Sequence, residues 1–471
     1  MNNESRIKYL FKNTLIFTLG NIGSKIISFF LIPLYTKILT TSQYGIVDLI
    51  STISMVAAPI LTLNVAESVM RFGLDRNAEK DKNIQCGNIV LIIAIIVGTI
   101  LIPICGKITN ISEYTVYVYF YVISLAASQI YLCDLRGKEL LLQYSFGNIL
   151  QTFLIAILNI FFLLVLNIGI TGYLLAYIIS NFVVAFYAAI IGKGYREFNF
   201  SYIDHRKLKK MLSYSVVLIP NTFMWWIMNS SDRIMVTYMV NSAANGIYAV
   251  SYKLPTLVST LTGIFNQAWS YSAIREEGAE DESAYNNRVF KTLTAVVMMI
   301  GLFMMLITKP FLKIYVSAEY YNAWKYTPFL IVGCVYLTLS TFVATSYTVH
   351  KDSFGYLFSG MFGAICNVFL NFLWIPRIGV YGAALATGIS YIAVFGFRIL
   401  NTRKYIKYII FYKEFIVGSV LLILSGVSMY NDNAIGVILQ IFSFVIGFFA
   451  FFRIWGKIFK ELAQKILRKK E

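Results

Sequence analysis

From residue 13 to residue 455 the chain is an almost unbroken series of apolar runs, each long enough to cross a bilayer. A membrane helix needs about 20 mostly apolar residues. Fourteen runs meet that length, at 13–37, 44–70, 86–107, 114–134, 146–166, 170–192, 210–233, 246–271, 290–314, 323–347, 354–375, 380–400, 414–430 and 434–455. The last two are separated only by Asn431–Asn433. Backbone polar groups in lipid must be satisfied within the segment, so continuous helices are expected. The chain is 58% hydrophobic and 13% charged, against about 25% charged in a soluble domain. The expected fold is an all-α polytopic membrane protein of about fourteen transmembrane helices, with no room for a separate soluble domain. The polar start MNNESRIKYLFKN lacks the pattern of a removable signal peptide, so the first run is read as a retained helix. Cys86, Cys105, Cys133, Cys334 and Cys366 show no paired spacing, so neither disulfides nor a metal site is expected.

The charges orient the runs. With the N-terminus placed in the cytoplasm, 31 of the 40 Lys and Arg fall on the inner side and seven on the outer. The remaining two, Lys25 and Lys253, lie inside runs. This asymmetry accounts for the net charge of +17 without nucleic acid, because the basic loops face an anionic leaflet. The tail KIFKELAQKILRKKE is a basic amphipathic stretch expected to lie along that surface. Both termini are therefore expected in the cytoplasm.

One phrase occurs twice. IGITGYLLAYIIS opens the sixth run at Ile168–Ser180, and IGVYGAALATGIS opens the twelfth at Ile378–Ser390. A weaker echo places Gly45, at the start of run 2, opposite Gly246 at the start of run 8. Six runs separate each pair, so both halves enter the membrane the same way up, as in a parallel repeat about the membrane normal. Each glycine alone is explained by close helix packing; their recurrence in order is not. The expected organisation is an N-terminal lobe at 1–195, a linker at 196–209, a second six-helix lobe at 210–403, a helix pair at 404–455 and a basic tail at 456–471. In transporters built this way the substrate site lies between the repeats.

Three stretches carry a family resemblance. They are PLYTKILTTSQYG (Pro33–Gly45), SDRIMVTYMVNSAANGIYAVSYKL (Ser231–Leu254) and NVFLNFLWIPRIGVYGAALAT (Asn367–Thr387). Together they resemble the bacterial polysaccharide-biosynthesis flippases of the multidrug/oligosaccharidyl-lipid/polysaccharide exporter superfamily, from residue 10 to about residue 400. The resemblance implies two six-helix lobes around a central V-shaped cavity lined by runs 1, 2, 7 and 8. It also implies movement of undecaprenyl-pyrophosphate-linked oligosaccharide from the cytoplasmic to the outer leaflet, for a surface polysaccharide such as O-antigen or capsule.

Ionisable groups inside runs are costly, about 2.5–3.5 kcal/mol on insertion scales, and so mark functional candidates. Lys25 lies about 18 Å from either end of its run, too far to reach the interface. With Asn21, Ser28 and Tyr35 it forms one helical face, read as a cavity wall. Lys25 is read as a cation for the anionic head group; the plain alternative is a pair with a buried carboxylate. Lys253 heads a second polar face, continued by Thr256, Thr260 and Gln267. Run 7 adds a stripe of Asn221, Trp225, Asn229 and Asp232. Trp225 is read as sugar stacking or lipid gating, against simple packing beside Trp226. Arg71, one and two turns beyond Glu67 and Asn64, is an interface anchor or a loading site for pyrophosphate, and Arg398 is a similar, weaker case. Asp48 and Glu67 are the candidates for coupling to a proton or sodium gradient, against ion pairs with Lys25 or Arg71. Arg233 is expected to neutralise Asp232 locally, and His350-Lys351-Asp352 and His205–Lys210 read as solvated loops. Pro33, Pro59, Pro220 and Pro255 fall in runs 1, 2, 7 and 8, where bends would suit a rocking motion.

No cofactor is implied, and no catalytic constellation or GxxxxGK[ST] phosphate loop is present in the sequence. The partners expected are a lipid-linked oligosaccharide, membrane lipids and the polysaccharide assembly machinery. Two rivals stand beside the flippase. A multidrug cation antiporter would favour an acidic, aromatic cavity, whereas the intramembrane balance here is basic. A glycan polymerase or ligase would need a long outer loop, and the longest is about Phe311–Asn322.

Overall fold

The computed structural model describes residues 23, 25, 27–75, 79–107, 111–197, 204–411, 413–452, 454 and 456. Asn21, residues 198–203 of the expected linker and residues 457–471 of the basic tail lie outside the described residues. Among the described residues every regular element is helical and there is no strand.

The order is α1 (Ile27–Ile38), α2 (Thr41–Leu61), α3 (Val65–Gly73), α4 (Lys80–Cys105), α5 (Thr115–Gly137), α6 (Leu141–Ile160), α7 (Gly169–Ile191) and α8 (His205–Met239). It continues with α9 (Ser242–Ser251), α10 (Lys253–Arg275), α11 (Glu282–Tyr315), α12 (Thr327–Val349), α13 (Ser353–Ile378), α14 (Val380–Asn401), α15 (Gly418–Ser428) and α16 (Ala434–Ala450). Among the described residues ten helical segments are long and apolar enough to cross a membrane, and three shorter apolar ones, Ile27–Ile38, Glu414–Ser428 and Ala434–Ala450, accompany them. The α9–α10 pair, in the position of the eighth run, is not among these.

Among the described residues the expectation of continuous helices fails at two runs. The second run breaks at Leu63 and Asn64, both with left-handed backbone (φ 48° and 54°). Pro59 lies just upstream and weakens the helix. The freed groups are recaptured locally: Asn64 N–H donates to Pro59 O at 2.6 Å, and the Thr62 hydroxyl donates to Ala58 O at 2.8 Å. The eighth run divides at Tyr252, because Pro255 cannot donate to Ser251 O. The Thr327 hydroxyl takes that carbonyl instead, at 3.3 Å. Pro220, by contrast, is absorbed within α8.

The chain divides into two compact units, Met1–Trp226 with Asn241–Gly246, and Ile227–Val240 with Ile247–Glu471. In unit 1, α5 is central and packs on α7, α3, α4 and α2. Gly73 and Gly137 let α3 and α5 touch backbone to backbone. The two echoed glycines also meet. A methyl on Gly45 would overlap Ser242 O, and one on Gly246 would overlap Thr41 O. Gly45 and Gly246 are offset by 201 positions, as are Thr41 and Ser242, so the contact between α2 and the start of α9 is reciprocal. In unit 2, α12 is central and packs on α14, α10 and α11. The α15–α16 pair docks on α11, where Gly418 meets Met298 and Gly447 meets Met299 and Leu302.

The repeated phrase performs the same local tasks twice. Gly169 and Gly379 take φ of +53° and +59° to open α7 and α14. Gly172 then packs on Phe162 and Gly382 on Trp374, each in the preceding helical segment. The hydroxyls of Ser180 and Ser390 each donate to the carbonyl four residues earlier, Ala176 O and Ala386 O, at 2.6 Å. Ile179 and Ile389 both point outward. The loop after α12 is a clasp: Asp352 accepts from Lys404 Nζ at 2.8 Å and from Tyr405 at 3.0 Å. The Lys404 ammonium beside it pulls the Asp352 carboxyl down to about 2. His350 stacks on Tyr405 with centroids 4.3 Å apart.

Candidate functional site

In unit 1, Lys25 and Ser28 are exposed, on a segment otherwise fit for lipid. Tyr35 departs from their face. It is 3% exposed and its ring packs on Tyr173 and Tyr44, with centroids 5.1 and 6.3 Å away. Asn221 and Trp225 on α8 are exposed as well. Their neighbour Trp226 turns inward and donates Nε1–H to Thr52 O at 2.9 Å. A tryptophan anchored to backbone thus sits beside an exposed one.

Asn64 is buried at the break that starts α3, and Glu67 is half-buried one turn on. Arg71 ends in an exposed pair with Asp75, Nη1 to Oδ1 at 2.5 Å. Exposed pairs of this kind contribute little to stability. Asp48 is buried, and its Oδ2 accepts from Asn245 Nδ2 at 3.4 Å.

In unit 2, Lys253 starts α10 and is half-buried, Thr260 likewise, while Thr256 and Gln267 are exposed along the same helix. Arg398 is only 4% exposed. Its Nε donates to Ser359 Oγ at 2.9 Å, its Nη1 to Ser340 O and Oγ at 3.2 Å, and its guanidinium lies 5.6 Å from the Tyr356 ring centre. Those contacts join α12, α13 and α14.

The densest polar network surrounds Asp232, a residue the sequence placed on the α8 stripe without naming it as a coupling group. Asp232 is 1% exposed. Its Oδ2 accepts from Tyr248 OH at 2.6 Å, Tyr252 OH at 2.7 Å and Thr387 Oγ1 at 3.1 Å. Its Oδ1 accepts from the backbone N–H of Arg233 at 2.9 Å. The Arg233 guanidinium lies 5.2 Å from the Tyr252 ring centre. Asn367 Nδ2 continues the network to Thr387 at 3.3 Å, and Asn371 Nδ2 to Asn367 Oδ1 at 2.9 Å. Tyr391 adds a bond to Asn229 Oδ1 at 3.2 Å.

A carboxylate held by neutral hydroxyls can exchange a proton or accept a hard monovalent cation. Among the described residues no cluster of His, Cys, Asp and Glu is fit to hold a metal ion. Asn367 and Asn371, one helical turn apart, form one wall of this network, a spacing that the sequence reading did not use. Nothing in the sequence says that α8, α9, α10 and α14 meet there.

Comparison with solved structures gives this fold repeatedly. The lipid II flippase MurJ in an inward closed conformation matches with a TM-score of 0.67 at 14% identity, over 95% of this chain and all of that one. An inward-facing multidrug-resistance MATE transporter of the MOP superfamily matches at 0.60, with 15% identity over 82% of this chain and 94% of that one. The Vibrio cholerae MATE transporter VcmN, in a mutant form, matches at 0.57, with 15% identity over 85% of this chain and 97% of that one. Comparison with curated proteins by sequence finds no match. The family model for polysaccharide biosynthesis proteins matches residues 10–271, more than half of the chain. The chain therefore belongs to the polysaccharide biosynthesis protein family, as a multi-pass membrane protein that shares its fold with the MurJ and MATE transporter structures.

Proposed function

We propose that this protein is a flippase for undecaprenyl-pyrophosphate-linked oligosaccharide. It moves that substrate from the cytoplasmic to the outer leaflet of the bacterial inner membrane, for O-antigen, capsule or a related surface glycan. Both termini lie in the cytoplasm, and the polysaccharide assembly machinery receives the product. The observation that carries this reading is Lys25, an exposed cation on an apolar helix of a polysaccharide-biosynthesis chain. An exposed ammonium in such a segment favours an anion, and pyrophosphate on a lipid is the anion this family would present. Lys253 is the second head-group cation, and Asn221, Trp225, Thr256 and Gln267 offer the sugars hydrogen bonds and a ring face. Arg71, exposed on α3, assists loading. Transport follows alternating access, while the polyprenyl chain stays in lipid.

For ion coupling Asp232 is the stronger candidate over Asp48 and Glu67, because its partners are hydroxyls that tolerate either a proton or sodium. The rival reading is a multidrug cation antiporter on the same fold. Native mass spectrometry of the purified protein separates the two. Offered undecaprenyl-pyrophosphate oligosaccharide beside a lipophilic cation, the protein retains the anionic lipid, and Lys25→Ala weakens that retention about tenfold, a typical loss for one charged contact. Preference for the cation, or anion binding indifferent to Lys25, puts the antiporter first.

A further inference from the structure

We infer that a lysine-lined pocket in unit 1, separate from the proposed substrate residues, holds the phosphate head group of an anionic phospholipid. The cavity is about 740 Å³ and lies where α4 begins, α5 ends and α7 ends. Lys80, Lys82, Lys138 and Lys193 line it, against Glu79 and Asp81. By the charge count this is the inner face of the membrane.

The ion pairs leave a cationic excess. Lys138 is committed to the wall, donating to buried Asp134 at 2.7 Å and to Gly192 O at 2.6 Å. Glu79 is answered twice, by Lys82 at 2.8 Å and Lys207 at 3.2 Å, and these ammonium groups hold its carboxyl below the usual range. Among the described residues neither Lys80 nor Lys193 has an ion-pair partner, and Asp81 has none either, so the excess is two lysines against one carboxylate.

The rim selects the kind of anion. Leu140 and Ile191 are the apolar side chains of the lining. Beyond them, on α6 and α7, Leu142, Phe146, Phe186 and Ile190 are exposed and apolar. An amphiphile satisfies both surfaces at once, with phosphate among the lysines and acyl chains on the apolar flank. A free anion uses only the first, and a zwitterionic head group brings its own cation.

The test titrates the full-length protein in detergent with dioleoyl phosphatidylglycerol or dioleoyl phosphatidylcholine and reads bound lipid by native mass spectrometry. The variant is Lys80→Ala with Lys193→Gly. Lys193 has φ of +57°, where glycine is favoured, so the change removes a cation without straining the backbone. The control, Arg206→Ala with Lys209→Ala, removes two exposed cations from the same side of the membrane. The expected result is a preferred phosphatidylglycerol site, weakened roughly tenfold or more in the pocket variant and unchanged in the control. Lys193→Arg, which keeps the charge, retains the lipid. Equal retention of the two lipids, or equal loss in both double variants, overturns the site. Full displacement of the lipid by inorganic phosphate makes it a free-anion site and overturns the lipid assignment.

Discussion

Asp232 shows what a buried charge requires. Taken from water it would cost several kcal/mol, and four hydrogen bonds at 2.6 to 3.1 Å offset that cost. The network therefore predicts a split between two substitutions. Asp232→Asn keeps the shape and an acceptor oxygen, so the protein still folds, while the dependence of transport on the ion gradient is lost. Asp232→Leu leaves the hydroxyls of Tyr248, Tyr252 and Thr387 without their acceptor, at about 1–3 kcal/mol for each group that stays unsatisfied. That variant should unfold several degrees earlier in detergent, read by thermal melting. Equal melting temperatures for the two would mean that the network does not hold the helices together. The sequence made Asp232 legible as one polar point on α8. Its acceptor role was not legible, because Tyr248, Tyr252 and Thr387 stand 16, 20 and 155 positions away. Arg398 teaches the same lesson. Its place at a helix end suggested an interface anchor or a head-group contact, and only the packed serines reveal where its donors go.

At the scale of elements, periodicity and apolar length located the helices well, because lipid leaves the backbone few other choices. Where helices break was less legible. Pro59, Pro220 and Pro255 look alike in sequence, yet only the first and third lie at breaks. The difference lies in the neighbours: Pro59 precedes two left-handed residues, and the carbonyl freed by Pro255 finds a hydroxyl on another helix. The first case is testable at Asn64, φ 54°. Asparagine tolerates that conformation, glycine prefers it, and a β-branched residue resists it. Asn64→Gly should match or exceed the wild-type melting temperature. Asn64→Val should cost about 1–2 kcal/mol, or a new backbone path that joins α2 to α3. Should both variants melt alike, the break is set by Pro59 alone. The repeated glycines were legible as a pattern but not as tasks. Gly169 and Gly379 serve a turn, while Gly172 and Gly382 serve close approach.

For the whole molecule, the strongest evidence in the sequence is the division of its cations, 31 inward and seven outward. The proposed direction of transport and the phospholipid pocket both depend on that orientation. It can be checked directly at two loops. Glu319 is exposed between α11 and α12, on the outer side by the count. Glu280 is exposed between α10 and α11, on the inner side. A membrane-impermeant maleimide applied to right-side-out vesicles should label Glu319→Cys at once. It should label Glu280→Cys only after the membrane is permeabilised. The two loops flank a single helix, α11, so one experiment fixes the direction of that crossing and, by alternation, of its neighbours. The reverse pattern would place most of the lysines outside, against the positive-inside rule. The Lys80 and Lys193 pocket would then face the outer leaflet, and its ligand would have to be sought there.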